Sequence, residues 1–200
     1  MIETLYKKRK QIKIYDKDRV PERSLIEKLI KTTFETMPSK QSIVPYRVHV
    51  LGPEHKDLKI KFYELLKTVP GGVQNFQVVA PYVLFFTPRL ATPEFLKRKM
   101  YEGHLHTAND PKEYRKAGDV YIEIGMFAKM LTTYCLEQDI DVSYTRCFPD
   151  WKEDSEEWKM LPLKDPLILS MSIGYRKPGI KIDYGKEEWK PDLDDVIKWL

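Results

Sequence analysis

The sequence predicts a single α+β domain, and three observations predict it. Amphipathic stretches of helical period alternate with short apolar runs bounded by Pro and Gly. One stretch, residues 120–136, is apolar on nearly every helical face. The 200 residues, 42% of them hydrophobic, provide for a substantial core and show no internal repeat or low-complexity tract.

Taken in order, residues 21–34 read as an amphipathic helix with Leu25, Ile26, Leu29, Ile30, Thr33 and Phe34 on one face; Pro21 suits its first turn and Pro38 marks where it has stopped. Residues 46–51 alternate into a short strand. Residues 55–66 form a second amphipathic helix, closed by Pro70-Gly71-Gly72. The run Tyr82-Val83-Leu84-Phe85-Phe86, between Pro81 and Pro88, suits a buried strand. Residues 92–117 turn polar and aromatic around Asn109-Asp110-Pro111, an excursion of the kind that covers a site. The long apolar helix, with Val120, Ile124, Phe127, Leu131 and Cys135, belongs in a core or a subunit interface. Residues 166–175 read as a second buried strand ending at Gly174-Tyr175. A charged, Pro-punctuated extension over residues 176–200 follows and closes in a short helix.

Composition excludes several function classes. A net charge of +4 is far below a nucleic-acid-binding signature. Cys135 and Cys147, the two cysteines, form no CxxC, so neither a zinc knuckle nor a disulfide framework is expected. His104 and His106 lack a third ligand of suitable spacing, so no metal is expected. The charged N-terminus reads as no signal peptide, and no stretch approaches the roughly 20 apolar residues of a membrane span. The expected setting is cytoplasmic.

Two segments carry chemistry. Lys8-Arg9-Lys10-Gln11-Ile12-Lys13-Ile14-Tyr15 places cations along an extended run, and Met37-Pro38-Ser39-Lys40-Gln41-Ser42-Ile43-Val44-Pro45-Tyr46 is a helix stop feeding a strand. Alone, the first is an ordinary solvated face and the second an ordinary turn. Together they supply positive charge, hydroxyls and turn N–H groups, the means of holding a phosphorylated planar cofactor.

With the order of elements added, the chain resembles the nitroreductase family of FMN-dependent flavoproteins along almost its whole length. The resemblance rests on Arg9 to Tyr15, on Pro38 to Tyr46, on Ala80-Pro81 with the apolar strand after it, on the long apolar helix, and on Ile173-Gly174-Tyr175. It implies a three-layer fold with a mixed, mainly antiparallel sheet, a long buried central helix and a homodimer with FMN at the interface. It implies that NADH or NADPH is the donor and a nitroaromatic, quinone or similar small aromatic the acceptor, in ping-pong order. Dehalogenation, azoline oxidation, flavin destruction and a non-catalytic dimeric role occur on the same scaffold. No nucleic acid or membrane partner is implied.

Residue by residue, the resemblance implies that Arg9 meets the FMN phosphate, supplemented by Lys10, with Gln11 beside them and Lys13 near the flavin N1/O2 edge. Pro38, Ser39, Lys40 and Ser42 face the flavin of the opposite subunit. The stretch Ser143 to Phe148 stands where the family has a loop whose backbone N–H meets flavin N5, from Arg146 or Cys147. Gln74 or Asn75 reaches the pyrimidine edge, and Lys186 or Lys190 is a second phosphate cation. Tyr101, His104 and Arg115 face the acceptor. No catalytic side chain is expected, since the cofactor carries the redox chemistry. Gln11, Ser42, Val44 and Tyr46 depart from the family's usual Ser, Asn, Gln and Trp. Asp139-Ile140-Asp141-Val142 stands where a Gly-rich turn is usual.

Overall fold

The structure is a computed structural model that describes residues 2–7, 9–39, 42–72, 74–89, 119–180 and 191–198. The expected excursion over residues 92–117, with Tyr101, His104 and Arg115, lies outside the described residues, as do Lys40, Lys186 and Lys190.

Chain order runs α1 (Ile2–Lys7), α2 (Arg23–Thr36), β1 (Tyr46–Leu51), α3 (Lys56–Lys67), β2 (Tyr82–Pro88), α4 (Asp119–Glu137), β3 (Asp141–Thr145), α5 (Glu156–Lys159), β4 (Leu169–Gly174) and α6 (Leu193–Val196), with 3-10 turns at Pro53–His55 and Phe76–Val79. Among the described residues, four strands form one sheet in the order β1-β2-β4-β3, and its pairings there are antiparallel. The α+β expectation holds.

Two apolar layers sandwich the sheet. On one face Leu84, Phe86, Met171, Ile173 and Val142 pack under α2 and α4. On the other, Val83 and Phe85 pack under Phe62, Leu65 and Leu66 of α3, with Ile12, Tyr15 and Trp158. This accounts for the unbroken apolar run of β2, which is buried at every position because both its faces are covered. Phe127 of α4 ties the first layer together through edge-on contacts with Tyr46 and Phe86, at centroid distances of 5.6 and 5.8 Å.

Helix ends follow from local chemistry. Pro38 forces Met37 into extended backbone, φ −79° and ψ 129°, so α2 stops where the sequence predicts. Its start is two residues later than Pro21. Helix α4 ends without glycine: Asp139 takes φ 54°, its N–H donates to Leu136 O at 3.1 Å, and Ile140 N–H donates to Cys135 O at 2.9 Å. That is a Schellman closure with an aspartate in the left-handed position. Buried Ile140 and Cys135 supply its apolar contact.

Gly174 has a packing reason. A Cβ there would lie 2.8 Å from Pro81 Cδ and 2.9 Å from Tyr15 Cδ1, because residues 14–16 run against the end of β4. Tyr15 forms a bridge with Arg176, and its hydroxyl donates to Ser172 O at 3.0 Å while lying 2.8 Å from Ser143 Oγ. The segment after β4 is pinned by Arg176, whose Nε donates to Asp141 Oδ1 and Oδ2 at 3.0 and 2.9 Å.

Helix α4 has two apolar faces with different fates. Val120, Ile124, Phe127 and Leu131 enter the core, whereas Tyr121, Ile122 and Met126 are 51, 60 and 38% exposed. Gly125, between them, has open space at its Cβ position. Among the described residues, no helix is long and apolar enough to cross a membrane.

Candidate functional site

Two of the sequence-predicted segments leave the same end of the sheet. Tyr46 opens β1 opposite Pro88, Phe86 pairs with Leu169, and Ser170 pairs with Thr145. The turn before β1 and the loop after β3 therefore share one end but occupy opposite edges, three strand spacings or roughly 14 Å apart. Within one chain they do not meet.

At the β3 edge, side-chain amides converge on the strand's last residues. Gln11 Nε2 donates to Tyr144 O at 2.6 Å and to Gln77 Oε1 at 3.1 Å, and Gln77 Nε2 donates to the same Tyr144 oxygen at 2.9 Å. Asn75 Nδ2 donates to Thr145 Oγ1 at 3.0 Å, and Cys147 N–H donates to that oxygen at 3.1 Å. The sequence places Arg9, Gln11, Asn75, Arg146 and Cys147 at one site, and all five lie on or beside this edge. Ser143, Tyr144 and Thr145 depart from expectation: they are strand residues, and the loop begins only at Arg146.

Arg9 is the chemically exposed feature of this edge. Its Nη1 is buried and has no hydrogen-bond partner among the described residues. It lies near the Tyr144 phenol, whose pKa is raised by burial while the Arg9 charge opposes the rise. A buried guanidinium nitrogen without an acceptor is costly, and an anion delivered there would remove the cost. The fit to a phosphate is therefore good. Lys10 and Lys13 are exposed beside it. Arg146 and Cys147 are exposed as well, so the backbone after β3 faces solvent.

At the β1 edge, Pro38 and Ser42 are exposed and Ser39 is partly buried. Ser39 Oγ accepts the Val44 N–H at 2.9 Å, and Ser39 O accepts Ser42 N–H at 3.1 Å. The turn holds Ser42 at φ 57° and Val44 at φ 49°, left-handed values that a β-branched residue rarely adopts. Arg89 clamps it: Nε donates to Val44 O at 2.9 Å, Nη2 donates to Ile43 O, and the Arg89 N–H donates to Pro45 O at 2.9 Å.

Sequence reasoning missed Gln77 and Arg89. Gln77 is 1% exposed and donates to Tyr144 O, whereas Gln74 is exposed. A lone amide inside Phe76-Gln77-Val78-Val79 was its only signal. Arg89 had none, since its role depends on β1 and β2 lying side by side. Among the described residues, no group of three or more His, Cys, Asp or Glu side chains stands ready for a metal ion.

No protein-family model and no curated protein matches the sequence. Solved structures do match. One is a protein assigned as a nitroreductase, in complex with FMN, from Exiguobacterium sibiricum: TM-score 0.70, 15% identity, covering 100% of this chain and 97% of that one. Another is assigned as an NAD(P)H:FMN oxidoreductase, from Staphylococcus epidermidis: TM-score 0.69, 16% identity, covering 100 and 96%. A third is a nitroreductase family protein from Streptococcus pneumoniae: TM-score 0.62, 18% identity, covering 100% of both chains. These likenesses span the whole chain, and the fold of this protein is the nitroreductase fold.

Proposed function

We propose that this protein is an FMN-dependent oxidoreductase of nitroreductase type. It takes electrons from NADH or NADPH and passes them, in ping-pong order, to a nitroaromatic, quinone or similar small acceptor. The observation that carries this reading is Arg9: a buried guanidinium nitrogen lacking an acceptor, at the edge where Gln11, Asn75 and Gln77 converge. The reading draws further support from the fold, which is that of a structure in complex with FMN.

Bound FMN would supply the hydride and electron chemistry. The chain's own residues do the holding. Arg9 meets phosphate oxygens through its fork of N–H groups, with Lys10 adding charge. Lys13 brings an ammonium to the pyrimidine edge, where positive charge favours the reduced cofactor. Gln11 and Gln77 are positioning residues: both grip Tyr144 O, which fixes the backbone that leads into Arg146. The backbone N–H of Arg146 or Cys147 would face the bound cofactor's ring; that Cys147 N–H donates to Thr145 Oγ1 supports Arg146 in this role. Lys186 or Lys190 adds the second phosphate cation, and Tyr101, His104 and Arg115 form the acceptor wall.

The working unit in this reading is a cytoplasmic homodimer of single-domain chains. The exposed stripe of Tyr121, Ile122 and Met126 on α4 gives the partner an apolar surface. Pro38, Ser39, Lys40 and Ser42 then complete the partner's flavin site, consistent with the roughly 14 Å that separates the two edges within one chain.

The test is direct. The purified protein should be yellow, or become so on addition of FMN, and should bleach anaerobically with NADH or NADPH. A protein that stays colourless in excess FMN overturns the proposal. One that binds FMN but resists both donors points to the other flavin chemistries of the scaffold.

A further inference from the structure

On the α3 side of the sheet lies a cleft of about 690 Å³ whose lining includes none of Arg9, Gln11 and Asn75. Its volume falls in the range of small-molecule sites, roughly 300–1,000 Å³. Ile14, Val20, Ile60, Phe76 and Val79 line it and are all exposed, an unusual concentration of large apolar side chains in solvent. Set into this apolar wall is Lys59, 4% exposed. Its Nζ donates to Ala80 O at 2.8 Å and Pro81 O at 3.0 Å, which uses two of an ammonium's three N–H groups.

Charge around the cleft favours an anion. Lys17 and Lys56 join Lys59, against Asp16, whose Oδ1 is turned back to accept the Asp18 N–H at 2.9 Å. Burial lowers the Lys59 pKa to about 8, with the Glu54 carboxylate opposing. A negative partner would offset that desolvation.

We propose that this cleft is a binding site for an amphipathic monocarboxylate, the carboxylate accepting the remaining Lys59 N–H and the apolar body lying on Ile14, Val20, Ile60, Phe76 and Val79. Lys59 also latches α3 to the strand entry through Ala80 and Pro81. A latch alone, however, needs neither an open cleft nor an apolar rim. The proposal does not rest on the flavin reading.

Calorimetric titration with decanoate and with decanol tests the proposal, run with and without saturating FMN. Decanoate should bind about tenfold more tightly than decanol, unaffected by FMN. Lys59→Met should abolish that preference. Should Lys59→Met fail to fold, Ile60→Glu on the exposed wall serves instead, weakening decanoate far more than decanol. Equal binding of the two ligands, no binding of either, or a preference that survives these substitutions overturns the proposal. Displacement of decanoate by FMN also overturns it, because the cleft would then belong to the flavin site.

Discussion

The turn over residues 38–45 and the amide cluster at the end of β3 leave the same end of one sheet, yet they are built differently. The turn uses its polar groups on itself: Ser39 holds Val44 and Ser42, and Arg89 holds the carbonyls of Ile43, Val44 and Pro45. It thereby keeps two non-glycine residues at positive φ. The β3 edge holds the unstrained Tyr144 carbonyl with two amide side chains, sets a third on the Thr145 hydroxyl, and leaves a buried guanidinium nitrogen without an acceptor. Stored strain at one edge and unmet hydrogen-bonding capacity at the other are different ways of prearranging a site. The first shapes a surface, and the second creates affinity for an anion.

Removing the clamp should break the comparison most visibly. Arg89→Met deletes two charge-assisted hydrogen bonds to backbone carbonyls, for a loss of about 3–6 kcal/mol. In a chain of this size that corresponds to roughly 6–24 °C in thermal midpoint. A midpoint shift below about 1 °C would mean that the turn holds its positive-φ conformation without Arg89.

At the opposite edge the expectation reverses. Arg9→Met should leave the thermal midpoint of the FMN-free protein unchanged or slightly raised, since it removes a buried nitrogen that has no acceptor. FMN affinity should fall about 10- to 150-fold, the equivalent of one or more charge-assisted hydrogen bonds. Fluorescence titration of FMN reads the second quantity. A large loss of stability with unchanged FMN binding would make Arg9 a structural residue and remove the principal support for the flavin reading.

Gln77→Leu should combine the two behaviours on a smaller scale. It deprives Tyr144 O of one donor and Gln11 of its acceptor, inside a buried cluster, at about 1–2 kcal/mol. FMN affinity should fall with it if the amides act by fixing the backbone that enters Arg146. Loss of stability with full FMN affinity would separate the amide cluster from the site.

The helices and strands that carry the fold were readable because their signals are local. Pro38 stops α2, the apolar run from Tyr82 requires cover on both faces, and α4 is apolar on nearly every face over about five turns. The family resemblance also implied Arg9, Gln11 and Asn75, and these lie on or beside the β3 edge. The sequence hid β3, because Asp141 and Ser143 look like turn residues; Asp141 is tolerated in a strand only because Arg176 meets its carboxylate. Arg89 and Gln77 were illegible for the same reason: each acts on a backbone oxygen brought near by tertiary packing. The positive φ of Val44 was equally invisible, as a β-branched residue before proline predicts extended backbone.

Asp139 offers the finest test of whether strain marks a site. Like Val44 it sits at positive φ, but it is exposed and closes α4 just before β3, at the end of that strand opposite Arg146, so its strain serves only the helix end. Asp139→Gly should therefore stabilise the protein by about 1 kcal/mol, the cost of a left-handed non-glycine residue. The thermal midpoint should rise roughly 2–4 °C with no change in FMN titration. Val44→Gly relieves the same kind of strain but gives up packing against the core beneath α2 and α4, so its net stability should change little. If the strained turn shapes a neighbouring subunit's flavin site, Val44→Gly alone weakens FMN binding. Should both glycine variants bind FMN as the parent does, the strain at Val44 is only a consequence of how the chain enters β1.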